Sequence, residues 1–151
     1  VVQAAGAAPF HKAYTTQFAR YETVEAHTVA TAIQIGDPVN YSKARRVVLE
    51  TEGLVMTATD EQILQSKMAI DSVGIGCEPA SAAGLAGVRQ LVENGTIRPG
   101  ERVLTVLTGH VLKDTDVITD WYLTRGMAKD RMAVIDPTSA DLERALSKVQ
   151  A

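Results

Sequence analysis

Arg102-Val103-Leu104-Thr105-Val106-Leu107-Thr108-Gly109-His110-Val111-Leu112-Lys113-Asp114 is the stretch from which the rest of the chain is best read. A continuous apolar run rich in β-branched residues breaks off at a hydroxyl, a glycine and a polar tail. That pattern predicts a buried parallel strand, since strands covered on both faces lose the usual alternation of apolar and polar residues. In open α/β sheets ligands gather at the carboxyl ends of such strands. Thr108 stands at that end.

Working back from this strand, Pro99-Gly100 is a turn signal and Gly95 closes a helix whose apolar positions are Leu85, Val88, Leu91 and Val92. The helix opens at Glu78-Pro79, with proline at a position where its missing N–H costs little. Its first two turns are almost without bulk: Ala80, Ser81, Ala82, Ala83, Gly84, Ala86 and Gly87. Such a start can approach another backbone or a ligand closely, and composition alone favours tight packing on a sheet. Further back, Leu54-Val55-Met56-Thr57-Ala58 is a short buried strand, and Thr59-Asp60-Glu61-Gln62 is a capping box. The helix it opens carries Ile63, Leu64, Met68 and Ile70. Ala44, Val47, Val48 and Thr51 mark an earlier amphipathic helix stopped by Gly53. Thr28 to Gly36 reads equally as a strand or a buried loop. Phe10, Tyr14 and Phe18 form one stripe of a helix over residues 10–19, after a strand at the very start of the chain. A chain that opens directly on a core strand is expected to be a piece of something larger, with apolar surface left uncovered.

Downstream, the periodicity weakens through Trp121 and Tyr122. Met132-Ala133-Val134-Ile135 is a candidate last strand. Thr138 to Asp141 opens a terminal helix with Leu142, Ala145, Leu146 and Val149 as its expected buried face. Strands alternating with helices in this rhythm predict an α/β fold, a three-layer αβα sandwich with a mostly parallel sheet.

Composition bounds the partners. In 151 residues, 46% are apolar and 22% charged, as in an ordinary globular domain. A net charge of -3 leaves no electrostatic footprint for nucleic acid or anionic lipid. No apolar run is long enough to span a bilayer. The single cysteine, Cys77, rules out an internal disulfide framework and fits a reducing, cytoplasmic setting. His11, His27 and His110 are scattered, without metal-ligand spacing. There is no Gly-x-Ser-x-Gly, Gly-x-Gly-x-x-Gly or Walker loop. What remains is a pair of weak signals, the Glu78 helix start and Thr108. Alone, a strand-end Thr-Gly is more often a turn than a site, and Glu78 before Pro79 more often a capping carboxylate.

Taken together, four landmarks carry a resemblance. Gly76-Cys77-Glu78-Pro79-Ala80-Ser81-Ala82-Ala83-Gly84, Arg98-Pro99-Gly100-Glu101-Arg102-Val103 with Thr108-Gly109-His110-x-Leu112-Lys113-Asp114, Val2-Gln3-Ala4-Ala5-Gly6-Ala7-Ala8-Pro9, and Thr28-Val29-Ala30-Thr31-Ala32-Ile33-x-Ile35-Gly36 lie in the order found in the threonine synthase family. Residues 1 to about 116 resemble the carboxyl-terminal part of that family; beyond Asp116 little of the likeness remains. Val111 departs from the pattern, which commonly has glycine there.

The resemblance implies a pyridoxal-phosphate enzyme of fold type II, the tryptophan-synthase-β-like class. Such enzymes convert O-phosphohomoserine and water into threonine and phosphate, generally as homodimers. It places Thr108 against the pyridine nitrogen, with Glu78 and Ala32 as further cofactor-binding positions. Residues 1–116 would be part of the cofactor-binding α/β domain and 117–151 a carboxyl-terminal extension ending in a helix. The family's Schiff-base lysine lies in an upstream Ser-Phe-Lys-Asp-type segment. Its Gly/Asn-rich phosphate loop also lies upstream, and neither occurs here. Lys113-Asp114 belongs to a different motif and does not take that role. Without the lysine this chain alone is expected to be inactive. Two other readings stay open: part of a serine/threonine dehydratase-like enzyme, and a non-catalytic α/β binding module that buries its own surface.

Overall fold

The structure is a computed structural model that describes residues 1–125 and 135–149; the expected strand at Met132-Ala133-Val134 lies outside them. The chain divides into two compact units, Val1–Asp114 and Thr115–Ala151.

In the first unit, β1 (Val2–Ala4) leads through a tight turn to α1 (Pro9–Thr15), which begins on proline as expected. A 3-10 turn follows at Thr31–Ile33, then α2 (Tyr41–Glu50), β2 (Met56–Ala58), α3 (Asp60–Ser72) and α4 (Pro79–Glu93). β1 and β2 pair in parallel, Val2 opposite Met56 and Ala4 opposite Ala58, with no other strand in the sheet among the described residues. The fold is thus α/β with a parallel sheet. The capping box closes as predicted: the Gln62 N–H donates to Thr59 Oγ1 at 3.2 Å, and the Thr59 N–H donates to Gln62 Oε1 at 2.9 Å.

Several expectations are corrected. Residues 102–108 form no regular secondary structure and join no ladder, and Leu104 is 90% and Val106 69% exposed. A strand is buried only by neighbours on its edges and faces, and this segment rests on α4 and the first core while pairing with no strand among the described residues. The ambiguous stretch from Thr28 is a loop carrying the 3-10 turn. α1 ends at Thr15 rather than near residue 19, because Gln17 and Phe18 take left-handed backbone (φ 53° and 60°). Phe18 nevertheless returns to its stripe, packing 5.3 Å from Phe10 and 5.8 Å from Tyr14 between ring centroids. In α4 the buried side is not Leu85, Val88, Leu91 and Val92 but Ser81, Ala82, Ala83, Ala86 and Gly87. Small residues are buried there because the sheet lies so close: a Cβ on Gly87 would stand 2.4 Å from Val2 Cγ2.

Two cores result. One joins Ala4, Ala58, Ile63, Ile70, Cys77, Ala82 and Ala86; the other joins Phe10, Val48 and Val55. Inside the first, Lys67 is completely buried and paired at 2.7 Å with Asp71, one helical turn on. The other oxygen of Asp71 accepts the Cys77 N–H at 3.4 Å. This ion pair therefore ties the end of α3 to the turn that precedes Glu78.

The second unit contains α5 (Thr115–Thr124), which weak periodicity did not reveal, and α6 (Ser139–Val149). Thr138 caps α6 by accepting the Asp141 N–H at 3.2 Å. Leu142 and Leu146, expected to be buried, are 51% and 54% exposed. A unit under about 40 residues has too little surface to bury a helix face by itself.

Candidate functional site

The N-terminus of α4 and the loop after residue 107 meet through one hydroxyl. Ser81 Oγ is buried and accepts the backbone N–H of Thr108 at 3.0 Å and of Gly109 at 2.9 Å. It also lies 3.2 Å from Thr108 Oγ1. A serine hydroxyl offers one proton and two lone pairs. With both lone pairs engaged by amides, the Ser81 proton points to Thr108 Oγ1. The proton of Thr108 is then free to be donated outward, and Thr108 is itself exposed. Ser81 was legible in the sequence only as one more small residue of the helix start; a lone hydroxyl among alanines was the available signal.

Glu78 is the N-cap residue of α4, and its N–H donates to the Gly109 carbonyl at 3.1 Å. The residue is only 3% exposed, and its carboxylate lies flat against Gly109. A Cβ at position 109 would stand 2.0 Å from the carboxylate carbon and 2.1 and 2.4 Å from its oxygens. Glycine is required there by close approach, not by backbone angle. Lys113 Nζ sits 3.4 Å from Glu78 Oε2. The distance is that of an ion pair, but the geometry is not that of a hydrogen bond, so Oε2 is buried with no donor. The partial positive charge of the helix N-terminus and the Lys113 ammonium together offset the buried charge.

Ala32 lies in the exposed 3-10 turn. Its neighbour Thr31 donates to the Asp114 carboxylate, with oxygens at 3.0 and 3.1 Å, which ties this turn to the loop that begins at Thr108. The preceding residues are held in turn by Asp60, which accepts Thr28 Oγ1 at 2.5 Å and the Val29 N–H at 3.2 Å. The structure thus sets Glu78 directly against the Thr108–Gly109 loop and brings Ala32 to the same loop through one hydrogen-bonded neighbour.

Burial pushes the Cys77 thiol up from its ordinary value, which suits an unreactive core residue rather than a nucleophile. Among the described residues no group of three or more His, Cys, Asp or Glu could hold a metal ion. No helix among them is long and apolar enough to cross a membrane.

Residues 1–109 match the sequence profile described as "Pyridoxal-phosphate dependent enzyme". The chain belongs to that family. Among similar proteins, the threonine synthase of Methanosarcina acetivorans is 43% identical over 121 residues, covering 79% of this chain and 30% of that protein. That of Methanocaldococcus jannaschii is 40% identical over 119 residues, 76% of this chain and 29% of the relative. That of Mycobacterium leprae is 33% identical over 136 residues, 89% and 36% respectively. The chain therefore spans about a third of the length of the curated relatives it matches. The family is pyridoxal-phosphate-dependent.

The residues present fit one edge of that cofactor. An exposed hydroxyl with its own proton free suits a ring nitrogen, and the short side chains of the α4 start leave room beside it.

Proposed function

We propose that this chain is the carboxyl-terminal part of a threonine synthase, forming one wall of a pyridoxal-phosphate cleft, in an enzyme that converts O-phosphohomoserine and water into threonine and phosphate. The observation that carries the reading is the placing of the Thr108 hydroxyl 3.2 Å from a Ser81 Oγ that already accepts two amides, together with likeness to threonine synthases in this very region. When bound, the cofactor supplies an electron sink through its pyridine ring. Thr108 would donate its hydroxyl proton to the ring nitrogen. A neutral hydroxyl does not hold that nitrogen protonated, so it moderates the sink in a way a carboxylate would not. Ser81 fixes the Thr108 hydroxyl in donating orientation. Glu78 and the turn at Ala32 line the same end of the site, and Lys113 holds the Glu78 charge in place.

On this reading residues 1–116 belong to the cofactor-binding domain of a three-layer αβα sandwich of fold type II, and 117–151 form a carboxyl-terminal extension. The Schiff-base lysine comes from polypeptide outside this sequence, and the complete enzyme is a cytoplasmic homodimer. The chain alone is then inactive, and adding pyridoxal phosphate to it gives no visible absorbance from a lysine-bound cofactor. A stoichiometric band lost on replacing one of its lysines would overturn that. The role of Thr108 is tested by grafting this chain onto the Methanosarcina acetivorans threonine synthase in place of the matched segment. Thr108→Val should lower both threonine formation and cofactor affinity; unchanged values of both would remove the assignment.

A further inference from the structure

Among the described residues Lys67 is the largest side chain buried completely, and nothing in the proposed chemistry uses it. A buried ion pair stabilises a fold no better than apolar side chains of similar volume. What it supplies instead is a charge held in one place. Lys67 Nζ donates to Asp71 Oδ2 at 2.7 Å, and the other carboxylate oxygen accepts the Cys77 N–H at 3.4 Å. The backbone carbonyl of Asp71 accepts the Gly74 N–H at 2.9 Å. One residue, itself fixed by Lys67, therefore grips both ends of the turn over residues 74–77.

That turn has little to hold it otherwise. Gly74 and Gly76 both take left-handed backbone, with φ of 79° and 68°, and glycine is the residue least restricted to any one conformation. Ile75 between them is 66% exposed. On the far side only Val111 covers the turn closely, its Cβ lying 3.2 Å from where a Cβ on Gly76 would stand. Yet the turn delivers Glu78, whose N–H donates to the Gly109 carbonyl at 3.1 Å. Successive amides, those of Cys77 and Glu78, are thus tied to Asp71 on one side and to the Thr108–Gly109 loop on the other. Three residues further on, Ser81 takes the two amides of that same loop. A displacement of Cys77 passes directly to the loop that carries the Thr108 hydroxyl.

We infer that Lys67 and Asp71 are positioning residues for Thr108: the buried pair fixes the start of α4 through Cys77, and the start of α4 fixes the loop. Neither side chain needs to touch the cofactor for this. The lysine holds the carboxylate in one orientation, and the carboxylate holds a glycine turn that would otherwise be free to shift. The inference rests on the proposed function in one respect, what the Thr108 hydroxyl binds.

Residue-resolved amide exchange in the full 151-residue chain tests the geometry. Lys67→Met with Asp71→Leu replaces the pair by apolar groups and should leave the chain folded. The amides of Cys77, Glu78, Thr108 and Gly109 should then exchange at least about fivefold faster, the size of one lost hydrogen bond, relative to the Ala86 amide in the middle of α4. A pair that merely fills the core predicts the same factor at Ala86 as at the other four, and that result would overturn the inference. Should the double variant not fold, Asp71→Asn decides by the same comparison, since it keeps the shape and gives up the charge. The link to Thr108 is tested in the graft onto the Methanosarcina acetivorans enzyme. There the double variant should weaken pyridoxal phosphate binding, but add no further loss in a Thr108→Val background, because it acts through that hydroxyl. Additive losses would overturn the positioning role. So would a loss from Thr108→Val with none from the pair, which leaves the proposed function standing. If neither change weakens binding while the four amides respond as expected, the pair still positions the loop and the proposed function falls instead.

Discussion

Gly109→Ala isolates the contact on which the candidate site is built. Gly109 is not among the glycines in left-handed backbone, so alanine introduces no conformational strain of its own. The added Cβ would fall 2.0 to 2.4 Å from three atoms of the Glu78 carboxylate. Ordinary non-bonded separation is about 3.5 Å, so one side must shift by more than about 1 Å. Glu78 has little room to yield, being nearly fully buried and tied through its own N–H to the Gly109 carbonyl. Overpacking of this kind costs roughly 1–3 kcal/mol. Losing the hydrogen bond as the loop moves adds about 1 kcal/mol. With a urea slope of about 1–3 kcal/mol/M, the unfolding midpoint should fall by roughly 1 M. The decisive comparison is the double variant. Glu78→Ala empties the space the new methyl needs, so Gly109→Ala in that background should cost at least about 1 kcal/mol less than in the parent. Gly95→Ala is the contrasting case: φ is +77° and nothing lies within 4 Å of its Cβ, so its cost is purely that of left-handed backbone and Glu78→Ala should not alter it. Additive losses for Glu78 and Gly109 would refute the contact and with it the pairing of the α4 start to the Thr108 loop.

Four further outcomes can be checked. Thr59→Ala removes the capping box of α3 and should cost about 1 kcal/mol in denaturant unfolding. Asp71→Ala leaves the buried Lys67 unpaired and should destabilise by about 3–5 kcal/mol, whereas adding Lys67→Met to it should recover most of the loss; equal stability of the single and double variants would refute the buried pair. The Tyr21 hydroxyl donates to the Asp37 carboxylate, which pushes its pKa up to about 12. This raised folded-state value means that the hydrogen bond stabilises the fold fully below the ordinary tyrosine value of 10.0 and that its contribution fades as pH rises toward about 12. In an ultraviolet titration Asp37→Asn should bring that phenol back toward 10.0. Cys77, buried and with its thiol pKa raised, should resist iodoacetamide at pH 8 in the folded chain and react in denaturant.

What could be read in the sequence and what could not divide along the range of the interactions. Thr59 with Gln62, Thr138 with Asp141, and Pro9 and Pro79 at helix starts act within one turn of chain, and each is found where the local pattern places it. The boundary of α1 failed because Gln17 and Phe18 adopt left-handed backbone that no proline or glycine announced. The burial of Lys67 is not written in the local sequence at all: it depends on Asp71 and on how closely α3 meets the core. Ser81 is intermediate, since the sequence marks the small helix start while only the fold decides which of its members faces Thr108. The stretch from Arg102 to Asp114 is the most instructive case. Its composition is that of a buried strand, yet burial and pairing belong to neighbours, and among the described residues no strand pairs with it. Its exposed Leu104 and Val106 are thus not evidence against the strand pattern. They show a side-chain pattern written for a sheet on a segment that, among the described residues, joins none.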